Sequence, residues 1–242
     1  MREEALYDAV RGWQPDAFLV VGWYHMIPRN WRSLAPAYGL HASLLPDYSG
    51  GAPLVWAMIN GETKTGISLF QMDDGVDSGP IVGQAEERIL DGDTIKTLYS
   101  RIEERGLELL KVALPRLATG VADFKVQDES KRRVFPQRCP KDGRIDWTQD
   151  AVSIDRFIRA QTRPYPGAYT TLNGESLTIW EVSRSSESLG YPAGNVVRKG
   201  DEYWVCCGVG SVCLRSLQFR DKDVEGPGLT SLLGAGRQKF GD

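Results

Sequence analysis

Ala17-Phe18-Leu19-Val20-Val21-Gly22-Trp23 is a continuous apolar run with no polar alternation, the pattern of a strand buried on both faces of a parallel sheet. Helix and strand patterns alternate outward from it. Upstream, residues 3–12 read as a short helix, followed by the turn Gln14-Pro15-Asp16. Downstream, Pro28 opens a helix over residues 28–35, because its fixed φ and missing N–H suit a first helical turn. Gly39-Leu40-His41 ends a second short strand, and residues 53–59 read as a helix closed by Asn60-Gly61. Residues 66–71 and 79–84 read as strands. A long helix follows over residues 94–117, with Asp93 as cap and Gly120 as stop. Ile95, Leu98, Ile102, Leu109 and Val112 mark its apolar face. Strand–helix alternation of this kind predicts an α/β domain over residues 1–120.

Beyond residue 120 the pattern changes. Residues 131–141 are basic, irregular and Pro-containing, so residues 121–140 read as a linker. A helix over residues 153–161 precedes short strand-like stretches at 168–172, 177–182, 195–198, 202–207 and 211–217. Their spacing predicts a small antiparallel barrel over residues 141–242.

The 242 residues are 41% hydrophobic and 25% charged, with 26 Gly and 13 Pro. Those figures describe a soluble globular protein and exclude a disordered, collagen-like or coiled-coil chain. The longest apolar runs are too short to cross a bilayer, and the charged start Met1-Arg2-Glu3-Glu4 does not read as a secretory leader. Cys139, Cys206, Cys207 and Cys213 lack metal-ligand spacing, and the chain has 2 His. No metal site or disulfide framework is expected, and the reading is cytoplasmic. Net charge is −3, but residues 131–242 carry 17 Lys+Arg against 13 Asp+Glu while the first 130 carry 12 against 19. The mildly basic second half suits either an anionic small molecule or a plain solvated surface.

Two residues stand out for chemistry. His41 ends a buried strand, the end where open α/β sheets bind ligands. Asp77 lies in the glycine-containing loop Met72-Asp73-Asp74-Gly75-Val76-Asp77-Ser78-Gly79-Pro80. A carboxylate beside an imidazole fixes its tautomer and stabilises its charged form. Spacing alone leaves both readings open, a catalytic pair or a structural histidine and a turn-forming aspartate.

The full string adds more. His41-Ala42-Ser43-Leu44-Leu45-Pro46-Asp47-Tyr48-Ser49-Gly50 continues through Ala52-Pro53-Leu54, Asn60-Gly61-Glu62 and Thr65-Gly66 to Val76-Asp77-Ser78-Gly79. It resembles the 10-formyltetrahydrofolate-dependent formyltransferase family. In the second half, Arg138, Pro140, Asp142, Gly143, Ile145, Asp146 and Trp147, then Ile158-Arg159-Ala160 and Pro164-Tyr165-Pro166-Gly167-Ala168, are similar to the C-terminal barrel of the methionyl-tRNA and sugar-nucleotide members.

The resemblance implies an incomplete Rossmann-like sheet followed by an OB-like barrel, and 10-formyltetrahydrofolate as formyl donor with no metal. It implies His41 and Asp77 as catalytic residues, roughly 2.6–3.2 Å apart or somewhat looser without ligand. A cis Leu45–Pro46 bond is expected in the turn after His41. Gly22, Trp23, Tyr24, His25, Met26, Ile27, Asp73 and Asp74 would line the folate pocket, although plain packing also accounts for Trp23 and Tyr24. Ser43, Tyr48, Gly50 and Trp56 would bind the acceptor, although Trp56 also suits a helix core.

The helix with Val55-Trp56 is closer to the sugar-nucleotide members than to the methionyl-tRNA ones, which carry a polar Gln-Arg pair there. A nucleotide-linked amino sugar is therefore the expected acceptor, with methionyl-tRNA second, and a homodimer is compatible with this reading. Two departures stand out. Gly39 replaces a family Asn that donates to the formyl oxygen, which admits hydrolysis of the donor or a non-catalytic folate-binding protein as alternatives. The chain also begins where the family is about a third of the way through, which would leave residues 17–22 as an unpaired apolar edge.

Overall fold

The computed structural model describes residues 2–234 and 238–241. Two compact units divide the chain: residues 1–57, 63–90 and 99–137 form the first, and residues 58–62, 91–98 and 138–242 the second.

Up to residue 137 the elements are α1 (Arg2–Gly12), β1 (Phe18–Val20), α2 (Arg29–Arg32), β2 (Ala37–His41), β3 (Ser49–Gly50), α3 (Pro53–Ile59), β4 (Lys64–Gln71), β5 (Ile81–Arg88), α4 (Ile95–Ala118) and β6 (Val134–Phe135). One sheet has the order β1-β2-β4-β5. Only β1 and β2 are parallel; β4 runs antiparallel to both β2 and β5. The sheet is therefore mixed rather than parallel, because the loop over residues 72–80 turns β4 back into β5 as a hairpin. That loop carries Asp77.

β1 is shorter than the apolar run that marked it. It sits at the sheet edge, and Leu19 is 45% exposed with Val21 and Trp23 also exposed. Burial on both faces is not found, and β1 has one strand neighbour among the described residues, in line with the unpaired edge expected for residues 17–22. The helix expected over 28–35 shortens to α2, which Pro28 precedes.

Leu109, Leu110, Ala113 and Leu117 of α4 pack against Tyr38, Leu40, Leu69 and Val82 of the sheet. Gly106 brings helix and sheet close, since a Cβ there would lie 2.9 Å from Ile67 Cδ1. Val112 is exposed and Ala113 takes the core position. The cap of α4 also shifts by one residue: Thr94 Oγ1 accepts from Thr97 N at 3.3 Å, while Asp93 accepts from the Thr97 hydroxyl.

Residues 121–137 are not a free linker. Lys125 pairs with Ile81, and β6 pairs in parallel with β3, Ser49 opposite Val134 and Gly50 opposite Phe135. They belong to the first unit.

The second unit holds α5 (Ala151–Arg159), β7 (Ala168–Leu172), β8 (Glu175–Ser185), β9 (Asn195–Lys199), β10 (Glu202–Cys206), β11 (Ser211–Phe219), β12 (Lys222–Glu225), α6 (Pro227–Leu233) and β13 (Gln238–Lys239). Asp150 caps α5 by accepting from Ser153 N at 2.9 Å. The antiparallel order β13-β9-β10-β11-β8-β7, with β12 beside β11, is nearly closed by a bridge between Leu172 and Phe240. Ile154 and Ile158 of α5 join Leu177, Ile179, Tyr203, Val205 and Leu217 in its core. Sequence patterning located β7 to β11. It missed β12 and β13, which are short and lack alternation, and α6.

No helix of the described residues is long and apolar enough to cross a membrane. All four cysteines are free; Cys139 is exposed and Cys206, Cys207 and Cys213 are buried. Burial pushes the Cys207 thiol up to about 12 and raises those of Cys206 and Cys213 as well. The thiolate is the reactive form. A maleimide near neutral pH is therefore expected to label one thiol per native chain and four after denaturation, read by intact mass. Labelling of several thiols in the native protein would contradict the barrel packing.

Candidate functional site

The site grows from the C-terminal end of β2. His41 is followed by a tight loop that Ser68 of β4 seats: its hydroxyl donates to Ser43 O at 2.6 Å and accepts from Leu45 N at 3.1 Å. Gln84 Nε2 of β5 adds bonds to Ser68 Oγ and to Leu45 O. The Leu45–Pro46 bond is cis, as expected for this turn. So placed, the loop returns Tyr48 O to within 2.7 Å of His41 Nε2. A carbonyl only accepts, so Nε2 carries a proton and Nδ1 is the ring nitrogen left to vary.

His41 Nδ1 lies 3.5 Å from Asp77 Oδ2, beyond the 2.6–3.2 Å of a formed bond but in the looser range of a site without ligand. The side chains are 11% and 19% exposed. Asp77 Oδ2 also accepts from Gly50 N at 2.7 Å. Only one neutral tautomer fits the Tyr48 carbonyl, and it turns an Nδ1 lone pair toward the carboxylate. Asp77 itself has φ +52°, a left-handed conformation that costs a non-glycine residue of order 1 kcal/mol or more and concentrates at functional sites.

Asp77 is held from several sides. Gln127 Nε2 donates to Asp77 O at 2.8 Å and to Gly79 O at 2.7 Å, and Arg132 donates to Val76 O. Gly79 has no alternative residue, because a Cβ there would lie 1.7 Å from Gln71 O. Gln127 and Arg132 sit in the stretch read as a linker. Their partners lie far away in sequence, so no local signal marked them.

The residues expected along the folate side divide into two groups. Gly22 is left-handed at φ +65°. Trp23 and Tyr24 are 59% and 78% exposed, with Met26 also exposed, and both rings contact His25, at 5.4 and 4.7 Å between centroids. Ile27 is half-buried, and its carbonyl accepts from Arg32 Nε at 3.0 Å. The aspartates are occupied within the chain. Asp73 Oδ1 accepts from Gly75 N and Ser78 Oγ, shaping the loop. Asp74 pairs with Arg29 and Arg32, tying the segment after Ile27 to the Asp77 loop. Hydrogen bonds from Arg29 and then Arg32 hold the Asp74 carboxyl down at about 2. Any stability this pairing gives is complete above the ordinary carboxylate range and is lost as pH falls through about 2.

Three residues expected to bind the acceptor also make contacts within the chain. Ser43 is 1% exposed and its hydroxyl donates to Asp47 O at 2.7 Å. The Tyr48 ring is buried, stacked on Phe135 at 4.5 Å with the Arg133 guanidinium 4.7 Å from its centroid. Arg133 in turn pairs with both oxygens of Asp47 at 2.7 Å. Trp56 donates its indole N–H to Pro136 O at 2.9 Å and tilts against Phe135. Gly50 contributes its N–H to Asp77, and a side chain there would strike Phe135 O. These residues build the walls behind His41 and Asp77. No cluster of three or more His, Cys, Asp or Glu that could hold a metal occurs among the described residues.

HypX from Aquifex aeolicus, in complex with tetrahydrofolic acid, has a similar fold with a TM-score of 0.73 at 20% identity; the match covers 96% of this chain and 40% of that one. This chain thus spans about two fifths of the HypX length. The N-formyltransferase from Helicobacter canadensis, in complex with folinic acid and dTDP-3-aminofucose, matches at a TM-score of 0.65 and 20% identity over 81% of this chain and 72% of that one. Methionyl-tRNA formyltransferase from Clostridium thermocellum matches at 0.62 and 22% over 93% and 85%. At these identities the likeness is one of fold. Residues 1–114 match the family Formyl transferase and residues 139–227 match Formyl transferase, C-terminal domain, so the chain belongs to the formyl transferase family of enzymes.

Proposed function

We propose that the protein transfers the formyl group of 10-formyltetrahydrofolate to the amine of a nucleotide-linked amino sugar, with His41 and Asp77 as its catalytic residues. The observation that carries this reading is the held pair itself, His41 Nδ1 at 3.5 Å from Asp77 Oδ2, in a chain of this family. A formylated folate, when bound, supplies the activated formyl carbon. The residues from Gly22 to Ile27 fit such a donor: exposed Trp23, Tyr24 and Met26 offer apolar area to a flat heteroaromatic ring. Asp74, paired with Arg29 and Arg32, fastens that wall.

Asp77 Oδ1 makes no hydrogen bond among the described residues, so it is the oxygen left to take a proton from the attacking amine. His41, its Nε2–H held by Tyr48 O, sets its Nδ1 edge beside the carboxylate, and the pair can stabilise negative charge that develops on the formyl oxygen. The new carbon–nitrogen bond to the amine replaces the bond from the formyl carbon to N10 of the folate, and the proton collected on Asp77 Oδ1 is the one available to that departing nitrogen. Gly39 adds no side-chain donor, which puts more of the task on His41.

The acceptor class rests on charge and on α3. The modest excess of 17 Lys+Arg over 13 Asp+Glu in residues 131–242 is thin for gripping tRNA, where many phosphates are neutralised at once. Val55-Trp56 stands where methionyl-tRNA members carry a polar pair. The cytoplasm is the compartment we assign, in keeping with four free thiols. The test is a panel of UDP- and dTDP-linked amino sugars, methionyl-tRNA and buffer alone, each incubated with the protein and 10-formyltetrahydrofolate. A formylated amino sugar is the expected product. Formyl-methionyl-tRNA would overturn the acceptor class, formate alone would make the protein a donor hydrolase, and folate binding without turnover would make it non-catalytic.

A further inference from the structure

We infer that Gln127 is a positioning residue for Asp77, and that the segment carrying it clamps the aspartate at both ends. The inference rests on the reading of Asp77 as catalytic. At the backbone end, Gln127 Nε2 reaches Asp77 O at 2.8 Å and Gly79 O at 2.7 Å. Both partners are carbonyls, so the amide orientation is fixed: turned over, it would set oxygen against oxygen. At the side-chain end, β6 of the same segment pairs with β3 and fixes Gly50, whose N–H holds Asp77 Oδ2 at 2.7 Å. Between the two ends, Arg132 takes the Val76 carbonyl.

Asp77 needs such a clamp because its left-handed φ of +52° is a conformation that surroundings must impose. Gln127 is buried and is anchored by the Lys125–Ile81 pairing two residues earlier, with reciprocal bonds of 2.8 Å. Its two hydrogen bonds fall on the carbonyls flanking the turn that aims the carboxylate. Loss of the amide frees that turn, and Asp77 Oδ2 leaves its place between Gly50 N and His41 Nδ1.

The chain has 2 His, so a ring nitrogen spectrum of the full protein holds one site ring and one reporter, His25. Gln127→Met keeps length and volume and removes both donors. In this variant the His41 ring signals are expected to move toward those of Asp77→Asn, with His25 unmoved. Gln127→Met added to Asp77→Asn should move them no further. Turnover in the assay above should fall about tenfold to a hundredfold, the scale of a small misplacement of a catalytic group, while KM for the donor stays within about twofold. If Gln127→Met folds poorly, Gln127→Asn, which keeps the amide but not the reach, is read the same way. His41 signals unchanged from the wild type in a folded Gln127 variant would overturn the inference, whatever the melting temperature. Signals that move as described, in a protein that formylates no amine, would sink the proposed reaction and leave the positioning of Asp77 by Gln127 standing.

Discussion

Asp77→Asn is expected to lower formyl transfer about a thousandfold while leaving the melting temperature within a few degrees of the wild type. The choice of asparagine isolates the chemistry. Asn tolerates the left-handed conformation that Asp77 adopts at φ +52°, and its side-chain oxygen still accepts from Gly50 N, now 2.7 Å away. It cannot carry negative charge beside His41 Nδ1 or take a proton from the amine. General acid–base catalysis by a placed side chain contributes about 10²–10⁴ in rate, and a thousandfold corresponds to about 4 kcal/mol of barrier. His41→Ala should cost as much in rate, and more in stability, because it strands the Tyr48 carbonyl and leaves Asp77 without its facing imidazole. The measurement is kcat on the accepted amine at several pH values, with thermal melts of each variant. A loss of less than about tenfold for Asp77→Asn would remove Asp77 from the chemistry.

Most of the candidate site was legible where the signal was local. The strand end at His41 and the loop with Asp77 come from contiguous motifs. α3 and β7 fall on the residues that patterning and turn signals mark, because Pro53 and Gly167 punctuate their starts. What stayed hidden depends on partners distant in sequence. β6 is two residues long, with no pattern of its own, and becomes a strand only because β3 accepts it. Gln127 looked like one polar residue in a basic, irregular stretch, and its role exists only through Asp77 and Gly79.

A second gap has another cause. A motif fixes a position but not the direction of its side chain. Ser43, Tyr48 and Trp56 sit where the resemblance puts acceptor contacts, and the structure adds contacts within the chain that the motif does not reveal: Ser43 to Asp47 O, Tyr48 on Phe135 and Trp56 to Pro136 O. The sheet was misread for a third reason: an apolar run suggests burial on both faces of a parallel sheet, whereas β1, at the edge the resemblance implies, leaves Leu19 half in solvent.

Gly39→Asn tests whether the departure from the family motif is a missing donor or a packed feature of this chain. Restoring the family residue looks, from sequence, like a way to raise turnover. The structure argues for the opposite outcome. Gly39 faces Phe70 across the β2–β4 ladder, and a Cβ at position 39 would lie 2.8 Å from Phe70 Cε1 and 3.0 Å from Cζ. The Phe70 ring is buried with Leu45 and Ile81, so it has little room to retreat. Overpacking of this kind costs about 1–3 kcal/mol. Gly39→Asn alone is therefore expected to lower stability by that amount and to give no gain in turnover, because the ring occupies the space the amide needs.

Phe70→Leu shortens the side chain opposite and should make the two changes interdependent. By itself it removes buried apolar volume and destabilises; combined with Gly39→Asn it should recover part of the cost of either change. Contacting residues couple by about 0.5–3 kcal/mol in such cycles, so the double variant should be more stable than the sum of the single losses. If position 39 lacks only an oxyanion donor, the double variant should also turn over at least about tenfold faster than Phe70→Leu, a fraction of what one such donor supplies. Additive stability losses would show that Phe70 does not exclude a side chain at position 39. Higher turnover in Gly39→Asn alone would show that the strand end accommodates the amide with the ring in place.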